Sequence, residues 1–63
     1  MFIEPQQIVG TWRRFGLVGP VYEVVGVGAR IGEADHWMRV RLPDTGETVD
    51  YKLSDILDDP CEA

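Results

Sequence analysis

The most informative stretch of this sequence, residues 36–53, reads HWMRVRLPDTGETVDYKL. Its two halves alternate apolar and polar side chains with a period of two, which is the spacing of a β-strand with one buried face. The segment between them, Pro43-Asp44-Thr45-Gly46, suits a hairpin loop because proline presets a negative φ and glycine accepts a positive one. The stretch therefore predicts two antiparallel strands joined by a four-residue loop.

The loop length fixes the register of this hairpin. On the inner face the predicted pairs are Leu42 with Glu47, Val40 with Val49, and Met38 with Tyr51. On the outer face they are Arg41 with Thr48, Arg39 with Asp50, and Trp37 with Lys52. A loop shorter by one residue would place Arg41 opposite Val49, so the hydrophobic pattern excludes it.

The rest of the chain gives weaker signals for further elements. Residues 20–27 are rich in β-branched and aromatic side chains and predict a strand with a bulge at Gly26. Residues 11–15 predict a shorter strand closed by a turn at 16–19, and residues 28–35 predict a mobile connection. Ser54 predicts the N-cap of one 3-10 or helical turn near residues 54–57, followed by a final short strand or a tail.

The order of these elements favours a mostly β fold. Strand, loop, bent strand, hairpin and a single helical turn are typical of a small five-stranded SH3-like barrel. With 63 residues the chain has room for one hydrophobic core, so we expect a single domain over residues 1–63 with short tails at 1–6 and 60–63. A domain of this size buries only about 60% of the surface of its unfolded chain, which favours self-association as a further source of stability.

Composition and charge narrow the classes of function. Hydrophobic residues make up 44% of the chain and charged residues 27%, which is typical of a globular protein and too apolar for a disordered one. No apolar run approaches the ~20 residues of a membrane span, and the start lacks the pattern of a signal peptide, so we expect a cytoplasmic protein without membrane contact. The net charge of −5 is concentrated after residue 41, where Lys52 faces seven carboxylates. That segment is either a solvated surface that pairs with the rest of the sheet or an acidic patch for a basic partner.

No residue set in the sequence carries a recognisable catalytic or metal chemistry. Cys61 is the only cysteine and His36 the only histidine, too few for an internal disulfide or a structural zinc site. A lone histidine also lacks the nucleophile and the orienting group that catalysis would need. Glycines at 26, 28 and 32 do not fit a dinucleotide fingerprint, because the third lies one residue too far along and no helix follows. We therefore predict no enzyme activity, no cofactor, no metal and no small-molecule ligand.

The aromatic and arginine residues give the strongest functional signal. Strand alternation places Trp37 outward beside Arg39 and Arg41, either along the stem of Lys52 as a cation–π pair or as part of a contact surface. Tryptophan flanked by arginine is a common composition of binding hot spots. The candidate interaction surface comprises Trp12, Arg13, Arg14, Trp37, Arg39 and Arg41.

Two functions are compatible with this surface. The first is a protein-interaction module or homodimer that uses the outer face of the 36–53 hairpin. The alternative is a nucleic-acid-binding small β-barrel in which the arginines contact phosphates and the tryptophans stack on bases. The net charge of −5 disfavours the second, because phosphate contacts dominate nucleic-acid affinity.

Several short motifs resemble an uncharacterised family of short bacterial proteins, classed as a domain of unknown function. They are Gly10-Thr11, Arg14-Phe15-Gly16, GPVYEV at 19–24, Thr45-Gly46-Glu47 and YKLSDILDDP at 51–60. The resemblance covers residues 10–60. It implies an SH3-like character and brings no assigned activity.

Overall fold

The protein folds into one antiparallel β-sheet with two short helices, as described for residues 4–62 by a computed structural model. A 3-10 helix, Pro5–Ile8, precedes β1 (Trp12–Arg14) and the long strand β2 (Val21–Ile31). The strands β3 (Asp35–Arg41) and β4 (Thr48–Lys52) lead into helix α1 (Leu53–Asp58) and β5 (Cys61–Glu62). The spatial order of the strands is β4-β3-β2-β1-β5.

The predicted hairpin is confirmed in its register. The pairs between β3 and β4 are Trp37–Lys52, Met38–Tyr51, Arg39–Asp50, Val40–Val49 and Arg41–Thr48. The Leu42 N–H donates to the Glu47 carbonyl at 2.8 Å, which closes the four-residue loop where the sequence places it. Gly46 has a φ of 76°, the positive value predicted for the last loop residue.

The mostly β class and the five strands are confirmed, but a barrel is not. The strand order leaves β4 at one edge of the sheet and β5 at the other. These two strands do not pair with each other within residues 4–62, so the sheet is open. The helical turn expected near residues 54–57 is an α-helix, Leu53–Asp58.

Strand β2 is longer than the sequence predicts because bulges let it curve while it stays paired. A register shift between Val24 and Gly26 confirms the bulge at Gly26, and a second shift lies between Val27 and Arg30. The mobile connection predicted for residues 28–35 is therefore wrong, since residues 28–31 continue β2 and Asp35 begins β3. Only residues 32–34 form the turn between the two strands.

The segments expected to be tails contribute to the fold. Pro5 and Gln6 belong to the 3-10 helix, where the Glu4 N–H donates to Oε1 of Gln7 at 3.0 Å. At the other end, Cys61–Glu62 pairs with β1, so the chain forms a final short strand. Residues 1–3 and 63 of the expected tails lie outside the described residues.

The core lies on the inner face of the sheet, beneath both helices. Its buried side chains are Ile8, Tyr22, Val24, Met38, Val40, Leu53 and Ile56. Ile8 comes from the 3-10 helix, and Leu53 and Ile56 come from α1, so both helices cover the same face. Neither helix in the described part of the chain is long and apolar enough to cross a membrane.

Ser54 is not the N-cap of helix α1, contrary to the prediction. The helix begins at Leu53, with Lys52 at the N-cap position. Asp35 holds the helix start from the neighbouring strand: its Oδ1 accepts the Ser54 N–H at 3.1 Å and its Oδ2 accepts the Ser54 hydroxyl at 2.8 Å. A carboxylate 19 positions away thus satisfies an N–H that a helix start leaves without a backbone partner.

Candidate interaction surface

The outer face of the sheet brings together five of the six predicted surface residues. Trp12 and Arg14 lie on β1, and Trp37, Arg39 and Arg41 alternate along β3. Glu23 of β2 links the two strands, because it is paired with Trp12 on one side and with Arg41 on the other, and directly paired residues share a face. The outer face comprises Trp12, Arg14, Val21, Glu23, Trp37, Arg39, Arg41, Thr48, Asp50, Lys52 and Glu62.

Arg13, the sixth residue, lies on the opposite side of the sheet. It is paired with Tyr22, whose side chain is fully buried. Its Nη1 donates to the carbonyl oxygens of Ile56 at 3.3 Å and Asp59 at 3.4 Å, at the C-terminal end of α1. The guanidinium adds a second donor to the Ile56 carbonyl, which also accepts the Asp59 N–H, and it complements the helix dipole. Arg13 therefore holds α1 against the sheet and is not part of the outer face.

Tryptophans stand at two separate corners of the outer face. The exposed fractions of Trp37 and Trp12 are 38% and 37%. Lys52 Nζ lies 5.8 Å from the Trp37 ring centroid, so the cation–π pair, one of the two alternatives for Trp37, forms. At the ordinary spacing of residues and strands in a β-sheet, the two tryptophans are about 13 Å apart along the strands and about 10 Å apart across them. Arg39 and Arg41 lie between these corners.

Each arginine on the outer face has a carboxylate partner. The pairs are Arg14 with Glu62 at 2.5 Å, Arg41 with Glu23 at 3.3 Å, and Arg39 with Asp50 at 3.7 Å. The last is the pair predicted from the hairpin register, and both of its side chains are exposed. The arginines therefore alternate with carboxylates across the sheet and do not form a uniformly basic patch.

Asp59 connects the loop between β1 and β2 to the end of α1. Its Oδ2 accepts the Tyr22 hydroxyl at 2.7 Å, and its Oδ1 accepts the Gly16 N–H at 3.2 Å. Burial, together with this hydrogen bond and the negative charge of Asp59, raises the pKa of Tyr22 far above its ordinary value of 10.0. Burial and Asp59 also raise the pKa of Tyr51. Asp59 is thus part of the structure of the fold, and the Tyr22 hydroxyl is bonded within the fold.

The aromatic residues of the inner face pack against one another. Ring centroids are 4.2 Å apart for Phe15 and Tyr22, 5.1 Å for Phe15 and Tyr51, and 5.7 Å for Tyr22 and Tyr51. These are ordinary distances for tilted and edge-to-face aromatic pairs in contact. The cluster therefore closes one end of the core and leaves no room for a ligand between the rings.

A cleft of about 430 Å³ lies between the 3-10 helix and the far end of the β2–β3 hairpin. Its lining residues are Glu4, Pro5, Gln6, Val27, Arg30, Glu33, Ala34, His36 and Leu53. Most of these side chains are exposed, whereas a ligand pocket buries most of its ligand. None of the residues of the outer face lines the cleft, so it is not part of the interaction surface.

The family model of a family of unknown function matches residues 1–63, the whole chain. The chain belongs to this family, DUF5397. Membership of DUF5397 confirms the expected family of unknown function and extends the resemblance beyond residues 10–60. No curated protein matches this DUF5397 chain. The assignment of a function to DUF5397 therefore rests on the surface described above.

Proposed function

We propose that this DUF5397 protein is a non-catalytic interaction module that binds another protein chain, a partner or a second copy, on the outer face of its sheet. The observation that carries the proposal is the pair of partly exposed tryptophans, Trp12 and Trp37, that flank arginines on a face neither helix covers. Tryptophan and arginine are enriched in binding hot spots, where they exclude water over a large contact area.

The charge pairs support a protein partner. An interface buries its centre, and an unpartnered charge there costs free energy of desolvation. The arginines of the outer face already have carboxylate partners on the same face, so a partner can cover the pairs without leaving a charge uncompensated. The outer face can therefore be desolvated at lower cost than a basic patch.

The proposal includes an SH3-like architecture. Three features support it: the strand order β5-β1-β2-β3-β4, the helical turn between β4 and β5, and the bulged strand β2. A bulged long strand is where a small barrel curves from one half of its sheet into the other. SH3-like barrels host many unrelated functions, so the proposed function itself rests on the residues of the outer face.

The non-catalytic part of the proposal rests on the positions of the reactive side chains. His36 lies on β3 and Cys61 lies on β5, with β2 and β1 between them in the sheet. The thiol and the imidazole are too far apart for a cysteine–histidine pair, which supports a non-catalytic role. A cytoplasmic location and a bacterial source remain predictions from the sequence.

The alternative function is binding of single-stranded nucleic acid on the same face. Arginines interleaved with tryptophans favour it, since bases stack on aromatic rings while arginines contact phosphates. The carboxylate partners oppose it, because a phosphate would have to displace Glu23, Asp50 or Glu62 from its arginine. We therefore rank it below the protein interface.

Affinity capture from the cells of origin tests the proposal, with the tagged protein compared with Trp37→Ala and Leu57→Ala. Leu57 lies on α1 and is 39% exposed, so it matches Trp37 in exposure but not in position. We expect a protein retained by the original chain and by Leu57→Ala to be lost with Trp37→Ala, with unchanged circular dichroism. The same set of retained proteins for all three would contradict the proposal. A low-salt gel shift that Trp37→Ala abolishes would instead select the nucleic-acid alternative.

A further inference from the structure

The most exposed apolar side chains of the described residues are neighbours at one loop apex. Leu17 is 88% exposed and Val18 is 96% exposed, in the loop between β1 and β2. The other large apolar side chains exposed in residues 4–62 reach at most 41%. Isolated exposed aliphatic residues are ordinary, but an adjacent pair at the tip of a loop presents a compact apolar knob.

The apex loop is held in one conformation by its own backbone. The Phe15 N–H donates to the Pro20 carbonyl at 3.1 Å, and the Gly19 N–H donates to the Phe15 carbonyl at 3.0 Å. Arg14 Nη1 adds a hydrogen bond to the Gly19 carbonyl at 3.0 Å. A Cβ on Gly19 would lie 2.1 Å from the Phe15 carbonyl oxygen, so this close approach requires glycine. The knob is thus preorganised, and its insertion into a partner costs little loop entropy.

A small groove lies at the same end of the sheet. It has a volume of about 180 Å³ and is lined by Pro20, Val21, Leu42, Asp44 and Thr45. Pro20 follows the apex loop directly, and the other wall is the end of β3 with the β3–β4 loop. The volume is below the roughly 300–1,000 Å³ of small-molecule sites, and it suits one or two aliphatic side chains.

We propose that Leu17 and Val18 insert into the groove between Pro20 and Leu42 of a second copy of this chain, so that two copies associate end to end. Knob and groove match in size and in apolar character, and they lie side by side at one end of the sheet. If a two-fold axis relates the two ends, the knob of each copy enters the groove of the other copy. Both sites are then occupied, so the assembly stops at a dimer. Val21 of the groove is paired with Arg14, so this contact borders the Arg14 end of the outer face and leaves Trp37 and Arg39, at the far end of that face, uncovered.

Charge gives the association a distinctive salt dependence. Each copy carries a net charge of −5, and residues 15–20 contain no charged side chain. Long-range repulsion between two copies is screened by salt, while the apolar contact is not weakened. Self-association through the apex therefore strengthens as ionic strength rises, whereas contacts made through the ion pairs of the outer face would weaken.

Sedimentation velocity of the full chain over a wide concentration range, at low and high salt, tests the proposal. We expect a monomer–dimer equilibrium that tightens with salt, and a dissociation constant weakened about tenfold or more in the double variant Leu17→Ser/Val18→Ser. Pro20→Glu, which places a carboxylate in the groove, should weaken it similarly. Because both apex side chains are almost fully exposed in the single chain, the double variant should keep the melting temperature that the original chain has at concentrations too low for dimers.

One control variant makes the result specific. Leu57→Ser removes another exposed aliphatic side chain, on α1 and outside both surfaces, and should dimerise like the original chain, while Trp37→Ala tests separately whether the outer face contributes to the same association. A monomer at every concentration, or a dimer unaffected by Leu17→Ser/Val18→Ser, would overturn the proposal. Co-sedimentation of the original chain, but not of the double variant, with phosphatidylcholine vesicles in the absence of dimers would also overturn it and assign the apex to a lipid surface. Loss of dimers in Trp37→Ala alone would move self-association to the outer face.

Discussion

The hydroxyl of Tyr22 donates a 2.7 Å hydrogen bond to Asp59 across 37 positions of sequence. Tyr22 is a fully buried residue of β2, and Asp59 is the C-cap residue of α1. The bond therefore joins the centre of the sheet to the end of the helix. Because the acceptor is a carboxylate, the bond is of the stronger, charge-assisted kind.

Replacement of Tyr22 by phenylalanine should destabilise the fold while preserving its packing. The ring stays in the core, but Asp59 loses a donor, and hydrogen bonds to charged groups contribute about 1.5–3 kcal/mol. Urea unfolding followed by circular dichroism should give a free energy of unfolding lower by about that amount. An unchanged unfolding midpoint would show that the bond contributes nothing to stability.

Alkaline pH should destabilise the original chain more than Tyr22→Phe. The pKa of Tyr22 is raised in the fold by burial, so above its ordinary value of 10.0 the unfolded chain releases a proton that the folded chain keeps. The stability due to this group is complete below pH 10 and is lost as pH rises further. Urea midpoints measured from about pH 8 to pH 11 should fall more steeply for the original chain than for Tyr22→Phe. Urea midpoints that fall equally steeply with pH in the two proteins would contradict the assignment of this pH dependence to Tyr22.

Acid pH should remove the contribution of Asp35. Its hydrogen bonds, first with the Ser54 hydroxyl and next with the His36 N–H, lower its pKa below the ordinary value of 3.8. This stabilisation is present above pH 3.8 and is lost as pH falls through the folded-state pKa. Asp35→Asn should therefore melt below the original chain at neutral pH, and the gap should narrow in acid. Asp44→Asn, in the exposed hairpin loop, is the matched control and should show no such gap at neutral pH.

Arg13 and Arg39 should differ sharply in their effect on stability. Arg13→Gln removes the guanidinium that holds the last carbonyls of α1, and we expect a loss of about 1–3 kcal/mol. Arg39→Gln breaks only an exposed ion pair, which is worth at most about 1 kcal/mol. Thermal unfolding of the two variants side by side measures the difference. Equal melting temperatures would show that Arg13 contributes no more to stability than the exposed Arg39, and would contradict its role in holding α1.

Local rules were sufficient where the relevant residues are close in sequence. In the hairpin, loop length and the period-two pattern determine every pair, because a slip of one residue would expose Met38 and Val40. The outward positions of Trp37, Arg39 and Arg41 follow from the same alternation. Most of the candidate surface on β3 could therefore be predicted from residues 36–53 alone.

The errors arise where distant residues determine the outcome. Arg13 and Arg14 are adjacent arginines that the sequence pattern does not distinguish. Arg13 lies on the inner face because it donates to carbonyls at the end of α1, more than 40 positions away. Ser54 has the composition of an N-cap, yet Asp35 provides the acceptor. The 3-10 helix went unpredicted, although Pro5 after Glu4, with Gln7 three positions on, is a recognisable helix start. Whether the strands close into a barrel depends on contacts that no local pattern encodes.

Photo-crosslinking at position 48 in the cells of origin tests the central claim most directly. A benzophenone amino acid replaces Thr48, an exposed outer-face residue paired with Arg41, in one variant and Leu57 on α1 in the other, so Trp37 is kept in both. If the outer face binds a protein chain, irradiation should yield a defined protein adduct from position 48 and none of the same mass from position 57. No adduct at position 48, or the same adducts from both positions, would contradict the account.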